Sequence, residues 1–192
     1  MTTICFIRHG ETDWNKLGKI QGKTDIPLNK NGKLQAEKIS IMLKASEWDS
    51  IITSPLIRAK ETAEIINEVL QLPFIEMNAF KERDFGDAEG LMPEERTALF
   101  SDRNYPNMEP RDLFIVRLEK GLSHIVQMYP HKKVLLVAHG GVINTILSVL
   151  SKGEIGSGKT PLANGCMSNI YFQEGIWHVK DYNQTLHLSS MQ

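Results

Sequence analysis

Two histidines stand where chemistry could be done. Arg8-His9-Gly10-Glu11-Thr12 directly follows the apolar run from Ile4 to Ile7, and His139-Gly140-Gly141 directly follows Val-Leu-Leu-Val-Ala at 134–138. Ligands of open α/β sheets bind at the carboxyl ends of strands, so both imidazoles emerge where a site belongs. Arg58 lies one turn into the helix that Ser54 and Pro55 open, again past a strand end. Two arginines and two histidines describe an oxyanion pocket, because guanidinium is a planar fork that matches phosphate oxygens and stays charged at physiological pH. Neighbouring cations discourage protonation of His9 and leave a ring nitrogen free as a nucleophile for phosphorus. Departure of an alkoxide requires a proton. Glu82, in Lys-Glu-Arg-Asp-Phe-Gly-Asp-Ala-Glu-Gly at 81–90, is the candidate acid, and Glu89 competes with it in the same segment. Amides of Gly141 and Val142 at a helix start would add anion affinity, and Gly10 would let backbone approach closely.

The elements that must position these groups alternate. Strand-like runs at Ile4 to Ile7, Ser50 to Thr53, Phe74 to Glu76 and Val134 to Ala138 are separated by helical patterns, the signature of α/β architecture with a largely parallel sheet. Ala36, Ile39 and Leu43 recur at helical spacing, as do Ala59, Ala63, Ile66 and Leu70. Ser54 and Pro55 are expected to start that second helix, serine as cap and proline at the first position. Phe114, Leu118, Leu122, Ile125 and Tyr129 predict a third helix ending before Pro130, and a fourth covers roughly Val142 to Leu150. Met167 to Phe172 and Ile176 to Tyr182, joined at Glu174-Gly175, read as a closing antiparallel hairpin. Leu91 to Pro110 is weakly periodic and broken by prolines, so it reads as an insertion or lid. The expectation is a three-layer α/β/α sandwich, one domain over 1–192, with 91–113 as the specificity insertion.

Composition narrows the function. The chain has 192 residues, 22 basic and 23 acidic side chains, 41% hydrophobic residues and two cysteines. This normal globular balance excludes disordered and collagen-like classes, and a chain of this length is expected to bury roughly 70% of its unfolded surface. A net charge of -1 provides no global field toward nucleic acid or an anionic membrane, so any anion site must be local. No window reaches a membrane span and no leader pattern opens the chain. Cys5 and Cys166 fit a reducing interior better than a disulfide scaffold, and no Cys-x-x-Cys pair suggests structural zinc. A soluble cytoplasmic protein is expected.

With these residues in view, the chain resembles the histidine phosphatase superfamily, the phosphoglycerate mutase-like proteins. Four ordered blocks carry the resemblance: Arg8 to Asn15 with Gln21-Gly22, Leu28, Gly32 and Gln35-Ala36; Thr53 to Ala63; Glu82 with Gly86 and Glu89-Gly90; and Val137 to Gly141. The resemblance implies that His9 is the phosphorylated nucleophile, that Arg8, Arg58 and His139 clamp the phosphoryl group with Gly140 beside them, and that Asn15 hydrogen-bonds it. It implies Glu82 as proton donor and Gln21 with Gly22 as the loop beside the substrate. Ala88 stands where the family often has tryptophan, implying looser packing around the acid or a larger pocket. A small phosphate monoester as substrate, a ping-pong mechanism and no metal or other cofactor are implied by the same likeness.

Rival readings exist. Gly153 to Thr160 fits the phosphate-loop pattern G-x-x-x-x-G-K-[ST] of nucleotide binders, but helical spacing precedes it and Pro161, Asn164 and Gly165 break the stretch beyond it. A metal hydrolase using His9 and His139 would place ligands beside two repelling arginines. A phosphate-binding module would not need an acid beside a nucleophile. Within the resemblance, the Gln-Gly form after the first block points to a phosphatase over a phosphoglycerate mutase, with α-ribazole phosphatase as the nearest specific alternative.

Overall fold

The computed structural model describes the backbone of residues 1–191 and the side chains of residues 1–189; Gln192, the last residue of the expected domain, lies outside the described residues. Among the described residues six strands form one sheet: β1 (Thr2–Arg8), β2 (Ser50–Thr53), β3 (Phe74–Glu76), β4 (Lys133–Ala138), β5 (Met167–Gln173) and β6 (Ile176–Gln184). Their order is β3-β2-β4-β1-β5-β6. The first four are mutually parallel, and β5 pairs antiparallel with β1 and β6.

Helices cover both faces. Besides a single turn α1 (Asp13–Lys16), they are α2 (Lys30–Leu43), α3 (Ile57–Leu70), α4 (Pro93–Leu99), α5 (Arg111–Met128) and α6 (Gly140–Leu150). The side-chain alternation along β4 explains the layering: Val134, Leu136 and Ala138 join one buried cluster with Phe114, Leu118 and Ile143 of α5 and α6. Leu135 and Val137 join the other with Ile39, Ala63 and Ile66 of α2 and α3. All five of these β4 side chains are fully buried, which is why that strand has no polar alternation. Burying each such valine or leucine contributes about 1.5–3 kcal/mol. The three-layer α/β/α sandwich with a mostly parallel sheet and an antiparallel hairpin is the architecture expected from the sequence.

The start of α3 differs from expectation. Leu56 is the N-cap residue, without a side-chain cap bond, and the helix begins at Ile57. Ser54 and Pro55 lie upstream, so Arg58 is the second residue of the helix and not a full turn inside it. The serine hydroxyl is only weakly engaged by the Leu56 amide, at 3.3 Å; its shorter contact goes to another strand end. The segment 151–166 after α6 contains neither helix nor strand. Gly153 to Thr160 therefore lacks the strand before and the helix after that a phosphate loop needs, and the nucleotide-binding alternative has no structural basis. Cys5 and Cys166 are both free and buried, and burial pushes their thiols up to about 12 and about 11.

Candidate active site

Parallel register brings the two histidines together. Arg8 of β1 stands opposite Ala138 of β4, and the His9 amide donates to the Ala138 carbonyl at 3.0 Å. The next residues on the paired strands are His9 and His139, whose ring centroids lie 5.2 Å apart, close to the spacing of adjacent strands. A one-residue slip of this register would send the two rings to opposite faces.

The tautomer of His9 is set by its partner. Its Nδ1 lies 2.7 Å from the Gly10 carbonyl, and a carbonyl only accepts, so Nδ1 carries the proton and Nε2 keeps its lone pair. Burial, then the guanidiniums of Arg58 and Arg8, hold the ring well below the usual histidine range. The cations are legible in the sequence; burial, the larger cause, is not. His139, fully buried, is held low by burial, Arg58, His9 and Arg8 in that order.

The arginines are held by neutral groups. Arg58 donates to the carbonyls of Thr24 (2.9 Å) and Gly22 (2.7 Å), and burial lowers it to about 10 against the raising influence of Glu82, Asp25 and Glu89. It remains a cation at neutral pH, and no carboxylate bonds to it among the described residues. Arg8 donates through Nη1 to the Leu162 carbonyl and lies against Gly140, where a Cβ would stand 3.3 Å from its Nε. Around His9, three buried nitrogens have no partner among the described residues: Nε of Arg8, Nε of Arg58 and Nδ1 of His139. Leaving a buried donor unpaired costs about 1–3 kcal/mol, so such a cluster marks a place built for an acceptor.

Glu82 and Glu89 separate cleanly. Glu89 accepts from the amides of Lys23 and Phe85 through Oε1, at 2.9 and 3.0 Å, and from the amide and hydroxyl of Thr24 through Oε2, at 2.9 and 2.5 Å. It fixes the loop whose carbonyls hold Arg58, and Gly22 (φ +53°) sits so close that any Cβ would strike the Glu89 carboxylate. Among the described residues Glu82 accepts only the amides of Arg83 (2.9 Å) and Gly141 (2.8 Å). The Gly141 amide, expected to serve an incoming anion, is thus taken by Glu82. A Cβ at 141 would strike that carboxylate, so only glycine lets it reach the start of α6. Ala88, where the family often has tryptophan, is fully buried.

These groups surround a cavity of about 170 Å³ lined by Arg8, His9, Asn15, Gln21, Arg58 and Glu82, with Gly22, Gly140 and Gly141 also in its wall. His139 does not line it and approaches through its contact with His9. Asn15 is oriented by three donors to its Oδ1: the Thr12 amide (3.2 Å), the Thr12 hydroxyl (3.1 Å) and Nδ2 of Asn164 (3.1 Å). Asn15 lines the cavity, and its Nδ2 has no hydrogen-bond partner among the described residues. Gln21 Oε1 lies 3.0 Å from the same Thr12 hydroxyl, whose single proton is shared between the two acceptors. Asn164 is a site residue that the sequence does not announce. It also donates to the His9 carbonyl at 3.1 Å, yet it lies 155 positions away in a turn where asparagine reads as ordinary loop chemistry.

A second cavity of about 560 Å³ shares Ile20, Phe85 and Gly141 with the first. Arg83, Arg96, Arg103 and Arg111 line it with aromatic residues from 85–114, and among the described residues no carboxylate does.

Comparison with known proteins agrees with this geometry. The profile of the Histidine phosphatase superfamily (branch 1) matches residues 4–185. The chain is 54% identical over 189 residues to the uncharacterized phosphatase PhoE of Bacillus subtilis, covering 98% of each. It is 32% identical over 205 residues to a metal-independent phosphoserine phosphatase of Arabidopsis thaliana, covering 100% of this chain and 85% of the other. Among solved structures, a phosphoserine phosphatase from Entamoeba histolytica, a mutant in complex with phosphoserine, superimposes with a TM-score of 0.85 at 31% identity, covering 98% of this chain and 100% of that one.

Proposed function

The chain belongs to the histidine phosphatase superfamily, and from that premise we propose that it is a metal-independent phosphomonoesterase working through a phosphohistidine on His9. The observation that carries this reading is the group of three unpartnered buried nitrogens around a histidine whose Nε2 lone pair is free. A phosphoryl group supplies the acceptors, and Arg8 and Arg58 stabilise charge on its equatorial oxygens. His9 Nε2 attacks phosphorus in line, the ester P–O bond breaks, and Glu82 gives its proton to the leaving oxygen. Water then attacks the phosphohistidine, its proton passes to Glu82, and inorganic phosphate leaves with His9 restored. Asn15, Gln21 and Gly22 bound the phosphoryl site, and Gly140 keeps Arg8 beside it.

The second cavity receives the leaving group, and residues 91–113 form the specificity insertion over it. The guanidinium groups of Arg103 and Arg111 have no ion-pair or hydrogen-bond partner among the described residues. Beside Phe85 and Phe100, they favour a small ester whose leaving group carries an anionic substituent; phosphoserine, the ligand of the Entamoeba protein, is of that kind. Cytoplasmic location fits such a substrate.

Quenched turnover of an aryl phosphate tests the reading. The expected product is acid-labile, base-stable phosphate on His9, with turnover unaffected by chelator. Phosphate binding without a covalent label would indicate a binding module, and chelator-sensitive turnover would overturn metal independence.

A further inference from the structure

His139 Nε2 lies 2.7 Å from the Ser54 hydroxyl oxygen, and both residues are fully buried. Nδ1 of the same ring is buried without a partner. The contacts of Ser54 decide which nitrogen carries the proton. Its oxygen already accepts the Leu56 amide, and among the described residues its own proton has the imidazole Nε2 as acceptor. A hydroxyl that donated nowhere would leave a buried proton unsatisfied.

We propose that Ser54 is a positioning residue: by donating to Nε2 it fixes His139 as the neutral Nδ1–H tautomer, so that the ring offers a hydrogen-bond donor to the phosphoryl group at His9. The inference rests on the phosphoryl-site reading above. Burial and the adjacent guanidiniums keep the ring neutral, and a neutral imidazole has a single proton to place. With that proton on Nε2, Nδ1 would carry only a lone pair and could donate nothing to a phosphoryl oxygen. With it on Nδ1, the buried nitrogen left without a protein partner becomes the missing donor. The same hydroxyl oxygen still accepts the Leu56 amide, and the first amide of α3, at Ile57, is bonded by Asp25 Oδ1 at 2.6 Å.

Nitrogen-15 NMR of the labelled full chain reads the tautomer directly, before any turnover. The expected result is a protonated Nδ1 and an unprotonated Nε2 on His139, with the Nδ1–H signal shifting when inorganic phosphate is added. Ser54→Ala should move the proton partly to Nε2 and lower kcat/KM for an aryl phosphate about tenfold, less than the roughly 10²–10³-fold loss that removing an oxyanion donor causes. Ser54→Thr keeps the hydroxyl and should restore both tautomer and rate. His139 protonated on Nε2 in the unaltered protein overturns the proposal. So does a Ser54→Ala protein that loses rate with the tautomer unchanged, because the serine would then act through packing alone. Failure of the phosphatase reading is separately visible as absent turnover in the unaltered protein.

Discussion

His9 leaves β1 and His139 leaves β4, neighbouring parallel strands in matched register, and each is followed by glycine. Backbone position, burial and electrostatic surroundings are nearly the same, yet the two rings meet different local partners. Next to His9 stands a carbonyl, which takes the Nδ1 proton and leaves Nε2 as a lone pair. Next to His139 stands a hydroxyl on Nε2, which leaves Nδ1 to act as the working end of the ring. In the proposed mechanism, the division of roles between these strand ends is decided by one hydrogen bond each, more than by residue type.

That contrast can be broken in several ways. His9→Ala should reduce aryl phosphate turnover to the uncatalysed background, with no phosphate label on the chain; a label appearing on His139 would abolish the assigned division of roles. His139→Ala should still label His9 while kcat falls about 10²–10³-fold, as for loss of one preorganised donor. Glu82→Gln should cost about 10²–10⁴-fold with a poor alkoxide leaving group. The loss should be much smaller with a nitrophenolate, which needs no acid, and Gly141→Ala should mimic this pattern by displacing the same carboxylate. Equal losses on both esters would remove Glu82 from proton transfer.

The smallest effect is on stability. Both histidines are depressed in the folded chain, so between the folded value and the unfolded value near 6.5 the unfolded chain binds more protons. Their contribution is complete above about pH 6.5 and declines as pH falls below it, by at most about 1.4 kcal/mol per pH unit for each ring. Denaturant titrations from about pH 7 to about pH 5 should show this slope, reduced in His139→Gln. A flat profile would mean that the rings are not buried as neutral bases.

Legibility in the sequence tracked the range of the interactions. Ser50–Thr53 and Phe74–Glu76 match their expected limits to the residue, because short β-branched and aromatic runs between breakers specify themselves. The four blocks named the residues that the fold gathers around one cavity. What local patterns could not resolve were partners far apart in the chain. Glu82 and Glu89 look equivalent until Lys23 and Thr24 claim one of them. Ser54 looks like a helix cap until His139, 85 positions later, claims its hydroxyl. The Gly141 amide looks free until Glu82 arrives.

The place of β1 in the sheet also governs how the protein comes into being. This strand is synthesised well before its neighbours β4 and β5, and Arg8 exchanges backbone hydrogen bonds with Gly165 and Cys166. During synthesis the strand that leads into His9 therefore waits, unpaired, for partners that appear more than 120 residues later. Such distant closure slows folding and leaves a β edge open meanwhile. A nascent chain that stops before Met167 leaves β1, the strand that presents Arg8 and His9, without its antiparallel neighbour.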